Sequence, residues 1–228
     1  MGARVVLQVQ PSLVDLLGQL PAAVVAAGQP LPPFDLHLPL LSLPRVLGTT
    51  VDTIPAECPY LRSPPGRAPE VEALLAPAGR LRVGIAWAGN QQHANDRRRS
   101  IPSRLFAPLC ALPGVQVFSL QVARPDDAVP PPGAIALGPH LAAGWSVTAA
   151  AIANLDLCIC VDSALAHLAG AMGCPVWVLL PLAADWRWLL ERDDSPWYPT
   201  ARLFRQQRPD DWPGVVARVA AELGRVVP

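Results

Sequence analysis

An aspartate, a hydroxyl and an imidazole share one short stretch, Cys160 to Trp177, CVDSALAHLAGAMGCPVW. The apolar run LDLCICV stops at Asp162, and Ser163 follows at the start of a helix-like series of Ala and Leu that carries His167. A carboxylate at a strand's end can cap the next helix, and the hydroxyl offers a second oxygen there. The first N–H groups of a helix lack intrahelical acceptors and carry partial positive charge, so an anion is favoured at this place. Leu165, Leu168, Ala169 and Met172 follow helical spacing and are predicted to face the core. Ser163, His167, Gly170 and Ala171 share another face, open at its start and small further along. Such a face suits a phosphate-bearing ligand held against the helix start. The competing reading is an ordinary cap, with His167 satisfied inside the core.

A second constellation is AWAGNQQHANDRRRSIP, residues 86–102. A strand ends at Gly89-Asn90, and a polar loop with His93, Asn95, Asp96 and Arg97 to Arg99 runs into Ser100-Ile101-Pro102 at a helix start. Arginine forks onto phosphate oxygens, and a loop at a strand's carboxyl end is where it is wanted. A solvated charged loop is the alternative. The third is PLAADWRWLLERDDSPWYP, residues 181–199, where Trp186, Trp188 and Trp197 gather with Asp185, Arg187, Asp193 and Asp194. Loops rich in Trp are packed lids or platforms for sugars and bases, and packing is the stronger expectation.

The elements that must position these residues alternate. RVVLQVQ is predicted as a strand, SLVDLLGQL as a helix, AAVVAAG as a short strand, and FDLHLPLLSLPRVLG as strand then helix. The Pro-rich stretch 61–70 is the best linker. Beyond it come a helix (EVEALLAPAG), a strand (LRVGIAWAG), a helix (SRLFAPLCAL), strands (VQVFSLQ, AIAL), a helix (SVTAAAIANL), a strand (LDLCICV), a helix (ALAHLAGAM) and a strand (VWVLL). An amphipathic helix over 211–226 ends the series. Such alternation implies a parallel sheet covered by helices on both faces.

Composition bounds the rest. The 228 residues are 51% hydrophobic and 16% charged, enough apolar material for a sizeable core and too little charge for disorder. A formal net charge of zero argues against a broad nucleic-acid or membrane-surface footprint. No apolar run is long enough to span a bilayer, and the N-terminus lacks a signal-peptide pattern, so a cytoplasmic protein is expected. Five cysteines are scattered except for Cys158 and Cys160, which share one strand face. That spacing suits neither a disulfide between the two nor a metal site, and free thiols are expected.

VDSALAHLAGAMGCPVWVLLP resembles the D-[ST]-x-x-x-H-x-A-x-A-x-G-x-P signature of heptosyltransferase-like GT-B glycosyltransferases. VGIAWAGNQQHANDRRRSIP, DWRWLLERDDSPWYPTARLFRQ and PPFDLHLPLLSLPRVLGTTVDTIPAECPYL resemble one bacterial branch, the glycosyltransferase domain at the C-terminal end of tetratricopeptide-repeat proteins. The resemblance implies an α/β fold of GT-B type: two Rossmann-like parallel-sheet lobes facing a cleft. Residues 1–66 would form part of the N-terminal acceptor lobe, 70–205 the nucleotide-sugar-binding lobe, and the helix 211–226 would return to the first. The N-terminal lobe would be incomplete, because the family opens with a glycine-rich turn whose acid is a plausible base, and the base is unassigned here. The implied activity is metal-independent transfer of a sugar from a nucleotide-diphosphate-sugar donor to a glycan or protein acceptor, with no cofactor. Arg99, Asp162 and His167 would stabilise the leaving group, and Gly89, Asn90, Ser100, Ser163, Ala164 and Leu165 would bind the donor. Asp185, Trp186 and Arg187 are candidate lid or sugar contacts. Upstream tetratricopeptide repeats would be fused partners. A non-catalytic nucleotide-sugar-binding domain and a GT-B-type nucleotide-sugar epimerase are the alternatives.

Overall fold

The computed structural model describes residues 2–66, 68–76, 79–122 and 129–227. Residue 67 of the expected linker and residues 77 and 78 of the helix expected after it lie outside the described residues. In chain order the elements are β1 (Val6–Val9), α1 (Val14–Leu17), β2 (Ala23–Ala26), α2 (Leu43–Val46), α3 (Pro69–Leu75), β3 (Leu81–Ala86), α4 (Asp96–Arg99) and α5 (Ala107–Cys110). They continue as β4 (Val115–Ser119), β5 (Ile135–Ala136), α6 (Gly138–Leu141), α7 (Trp145–Ala153), β6 (Leu157–Val161), α8 (Ala164–Ala171), β7 (Val176–Leu180), β8 (Ala201–Arg205) and α9 (Trp212–Val226).

Two separate sheets result. β1 and β2 pair in parallel with Val6 opposite Ala23, joined by the short crossover through α1. The larger sheet has six strands in the order β5-β4-β3-β6-β7-β8, every pair parallel. Its order reverses between β3 and β6: the chain builds outward to β5 on one side, then returns and builds outward to β8 on the other. A crevice forms at such a reversal, at the carboxyl ends of the two central strands.

The alternation of side chains along each strand feeds two cores. Val83, Ile85, Val117, Ile159 and Leu179 pack with Phe106, Leu109, Val215, Val219 and Leu223 on one face. Ala86, Phe118, Cys158, Cys160 and Val178 pack with Val71, Leu75, Ile152, Leu165 and Leu168 on the other. Strands buried on both faces need apolar residues at nearly every position, which is why β6 and β7 are uninterrupted apolar runs. Leu16 and Leu61, from the segment that carries the two-stranded sheet, join the second of these cores. The main chain of Tyr60 and Leu61 donates to the Ala171 carbonyl, and Gln19 bonds the Arg62 main chain in both directions.

Three sequence expectations change. The segment FDLHL forms no strand, and Leu36 within it is 92% exposed. Pro30, Pro32, Pro33 and Pro39 flank it, and a proline has no N–H to give to a ladder. The sequence left ARLFR unnamed, yet it forms the edge strand β8, with Val176 opposite Ala201. Finally, α9 packs on the six-stranded sheet rather than returning to the first lobe. Its stripe of Val215, Val216, Val219 and Leu223 is buried in the core beneath Phe204 and Phe106. No helix among the described residues is long and apolar enough to cross a membrane.

Candidate functional site

The order reversal brings two loops to the same place. β3 runs on through Trp87 and Ala88 to Gly89 and Asn90, and β6 runs on to Asp162 and Ser163. Gln121, just past β4, fixes the first loop: its side-chain oxygen accepts from the N–H groups of Trp87 at 3.2 Å and Ala88 at 2.9 Å. Arg97 to Arg99 form the turn α4, not an open loop, and Arg99 folds inward with 12% of its side chain exposed.

Three contacts hold the Arg99 guanidinium. Nη1 donates to the main-chain carbonyl of Asp162 at 2.9 Å. Nε faces the buried Asp96 carboxylate at 3.6 Å, and Asp96 also accepts from the Ser100 hydroxyl at 3.1 Å. The Gly89 Cα lies directly beneath, where any side chain would collide with the guanidinium. A charge so enclosed by compensating groups is pre-positioned and needs no ordering when a ligand arrives.

A cavity of about 540 Å³ opens beside it. Gly89, Asn90, Arg99, Ser163, Ala164 and Leu165 line it. Ser163 is the extended residue before α8, and its side chain makes no capping bond. The first N–H groups of an eight-residue helix therefore point outward with their partial positive charge. Leu120, Leu141, Trp145 and Thr148 line the cavity as well, with Gly144 at the start of α7. Ser12, from the turn Pro11–Leu13, also lines the cavity, so the segment carrying the two-stranded sheet contributes to it. Two helix starts and one half-buried arginine thus converge on a single space large enough for a small organic anion.

The sequence-predicted residues divide accordingly. Gly89, Asn90, Arg99, Ser163, Ala164 and Leu165 line the cavity together. Asp162 adjoins it and gives its carbonyl to Arg99. Ser100 is turned to Asp96. His167 is displaced from the expected cleft wall: its ring stacks on Trp188 with centroids 5.3 Å apart and planes 10° apart, and Nδ1 lies 3.1 Å from the Tyr198 hydroxyl. The small face of α8 explains the difference. A Cβ on Gly170 would come within 2.4 Å of the Tyr198 ring, so this face is small in order to receive Trp188 and Tyr198. Burial holds the His167 imidazole below its ordinary pKa, with the Asp162 charge offsetting part of the effect.

Asp185, Trp186 and Arg187 do not line the cavity. Asp185 caps the turn Trp186–Trp188 by accepting from the Arg187 N–H, and it pairs with the Arg187 guanidinium at 2.8 Å. That guanidinium lies 4.8 Å from the centre of the Trp186 ring. Trp188 is fully buried, so packing accounts for much of this loop, while Trp186 remains 58% exposed. Sequence reasoning missed Gln121, Trp145, Thr148 and Ser12. Gly144-Trp145 at a helix start was the one available signal, since Gly144 sits at φ 135°, a conformation open to glycine.

With this geometry in view, the chain was compared with known proteins. Residues 145–180 match the model of glycosyltransferase family 9 (heptosyltransferase). Protein FlbA of Caulobacter vibrioides is 29% identical over 189 residues, 78% of this chain and 31% of that protein. The structure of E. coli ADP-heptose lps heptosyltransferase II superposes with a TM-score of 0.53 at 17% identity, covering 78% of this chain and 57% of that one. A glycosyl transferase family 9 structure from Veillonella parvula gives a TM-score of 0.43 at 13% identity over 71% and 44% of the two chains. The chain therefore spans under a third of FlbA and somewhat over half of the E. coli enzyme. The fold is α/β with parallel sheets, similar to that of the E. coli heptosyltransferase. The family match itself runs from the start of α7 through α8 to the end of β7, and so includes the second helix start of the cavity.

Proposed function

We propose that this chain is the donor-holding part of a glycosyltransferase, which transfers a sugar from a nucleotide-diphosphate-sugar donor to a glycan or protein acceptor. The observation that carries this reading is the meeting of Arg99 with the start of α8 on one cavity wall. Departure of a nucleoside diphosphate leaves negative charge on the phosphate oxygens, and transfer is accelerated by fixed positive charge and N–H groups aimed at them. Arg99 supplies the full charge, Ala164 and Leu165 supply main-chain N–H groups, and Ser163 supplies a hydroxyl. Leu120, Leu141 and Trp145, the apolar residues of the lining, take the flat and less polar nucleoside. Residues 1–66 act as the acceptor-side lobe and 70–205 as the donor lobe, with Ser12 reaching across.

Asp162 acts through its main chain, as the anchor of Arg99. His167 acts one layer behind the cavity, keeping the Trp188–Tyr198 loop seated on α8. Asp185, Trp186 and Arg187 stand on that loop and are assigned to the acceptor side, where the exposed Trp186 face suits a sugar ring. The match to FlbA and the family match over 145–180 agree with a domain of a larger protein, in which further modules recruit the acceptor.

The test is calorimetric titration of the chain with adenosine, uridine and guanosine diphosphates. One of them is expected to bind, and Arg99→Ala is expected to weaken that binding by about 10- to 150-fold, the equivalent of one charged hydrogen bond. Equal affinities of wild type and variant would remove Arg99 from the site, and no binding of any nucleotide would overturn the donor assignment.

A further inference from the structure

A second cavity, about 280 Å³, lies between the first lobe's exit segment and the C-terminal turn of α8. Pro59, Leu61 and Arg62 line one side, and Ile152, Met172 and Cys174 the other. It shares no lining residue with the donor cavity. Cys174 stands just before β7 and keeps 9% exposure, while Cys158 on the neighbouring strand β6 has none. The two Sγ atoms are 3.9 Å apart. The main chain already ties the pair, because the Cys158 N–H donates to the Pro175 carbonyl at 2.9 Å.

The two thiols differ in a way that suits an ordered reaction. The side-chain contact with Cys158 holds the Cys174 pKa below that of an ordinary thiol, against burial and the Asp156 charge, and the Cys174 thiol can also donate to the Pro175 carbonyl at 3.5 Å. The same contact, and burial after it, push Cys158 the other way. One sulfur thus belongs to a residue that lines the cavity, and the other to a fully enclosed residue within contact distance of it.

We propose that Cys174 is an oxidation site for small hydroperoxides and that Cys158 is its resolving thiol. The Cys174 thiolate attacks one oxygen of the peroxide, an S–O bond forms as the O–O bond breaks, and hydroxide leaves to become water. The Cys158 sulfur then attacks the sulfenic sulfur and gives up its proton, the hydroxide departs as a second water, and the S–S bond forms. The thiols lose two electrons and the peroxide gains them. Closure brings the sulfurs from 3.9 Å to about 2.05 Å. The ring so formed encloses Ser163 and the whole of α8, and thus ties the donor-side helix covalently to the sheet. The chemistry of the pair does not depend on what the donor cavity binds.

The experiment treats the reduced full chain with hydrogen peroxide, blocks remaining thiols, and cleaves before Asp162 so that Cys158 and Cys174 fall in different peptides. Mass spectrometry is expected to find these peptides joined, lighter by two hydrogens, and separated again by dithiothreitol. Cys158→Ser should leave Cys174 as a sulfenic acid that dimedone traps, and Cys174→Ser should leave Cys158 fully alkylatable. A wild-type map in which Cys174 stays unoxidised, in which Cys58 or Cys110 reacts first, or in which Cys160 is the joined partner overturns the proposal without recourse to either variant.

Discussion

A methyl group placed on Gly89 tests how the cavity holds its charge. The new Cβ would sit 2.4 Å from Nη2, 2.7 Å from Cζ and 3.0 Å from Nε of Arg99. The Gly89 backbone is outside the left-handed region, so alanine is conformationally allowed and the effect is purely one of space. Non-bonded carbon contacts settle at about 3.5 Å, so the guanidinium must retreat by roughly 1 Å. A retreat of that size breaks the 2.9 Å bond from Nη1 to the Asp162 carbonyl and moves the charge off the cavity wall. Losing a hydrogen bond to a charged group is worth about 1.5–3 kcal/mol, or roughly 10- to 150-fold in an equilibrium constant. Nucleoside-diphosphate titration of Gly89→Ala should therefore show affinity lowered by at least about tenfold, with a lowered thermal midpoint from the strained contact. The decisive comparison is the double variant. If Gly89→Ala acts only by displacing Arg99, then Gly89→Ala with Arg99→Ala should bind no worse than Arg99→Ala alone. Additive losses, or wild-type affinity in Gly89→Ala, would refute the account.

Two further outcomes follow from α8 and its aromatic cover. Gly170→Ala puts a Cβ 2.4 Å from the Tyr198 ring, and such overpacking should lower stability by about 1–3 kcal/mol in denaturant titration; an unchanged midpoint would mean the ring is not seated there. His167 is held below its ordinary pKa of 6.5 by burial, so the unfolded chain takes up the proton more readily than the folded one. Its contribution to stability is thus complete above that value and is lost as pH falls through it until the folded imidazole protonates. Denaturant midpoints at about pH 7.5 and 5.5 should converge more closely in His167→Gln than in wild type, and equal pH dependence would remove His167 as the cause.

The central strands were legible because burial on both faces demands apolar residues throughout, and LDLCICV and VWVLL have no other soluble explanation. The polar ends of those strands were legible for the same reason, since Gly89 and Asp162 mark where the apolar requirement stops. β8 was not, because ARLFR alternates charged and apolar residues as an edge strand does and is too short to stand out between prolines and turns. His167 was misplaced because helical spacing tells which residues share a face but not what covers that face. The cover is Trp188 and Tyr198, more than twenty residues away in sequence. Gln121 and Trp145 lie in different crossovers from the motif residues, and only the sheet order brings them to the cavity.

The burial of Leu16 and Leu61 in the same core as Val71 and Ile152 has a mechanical meaning. If the segment carrying the two-stranded sheet met the rest only through water and polar side chains, it could swing away at little cost. Here a swing would first expose two leucines that are 2% and 6% accessible, each costing about 1.5–3 kcal/mol. That keeps the splayed arrangement below about one molecule in a hundred at equilibrium. The buried leucines pin this joint, and Ser12, on the turn just before the helix that carries Leu16, is held with it at the cavity wall. Compliance must then reside in smaller parts of the wall such as the turn bearing Asn90.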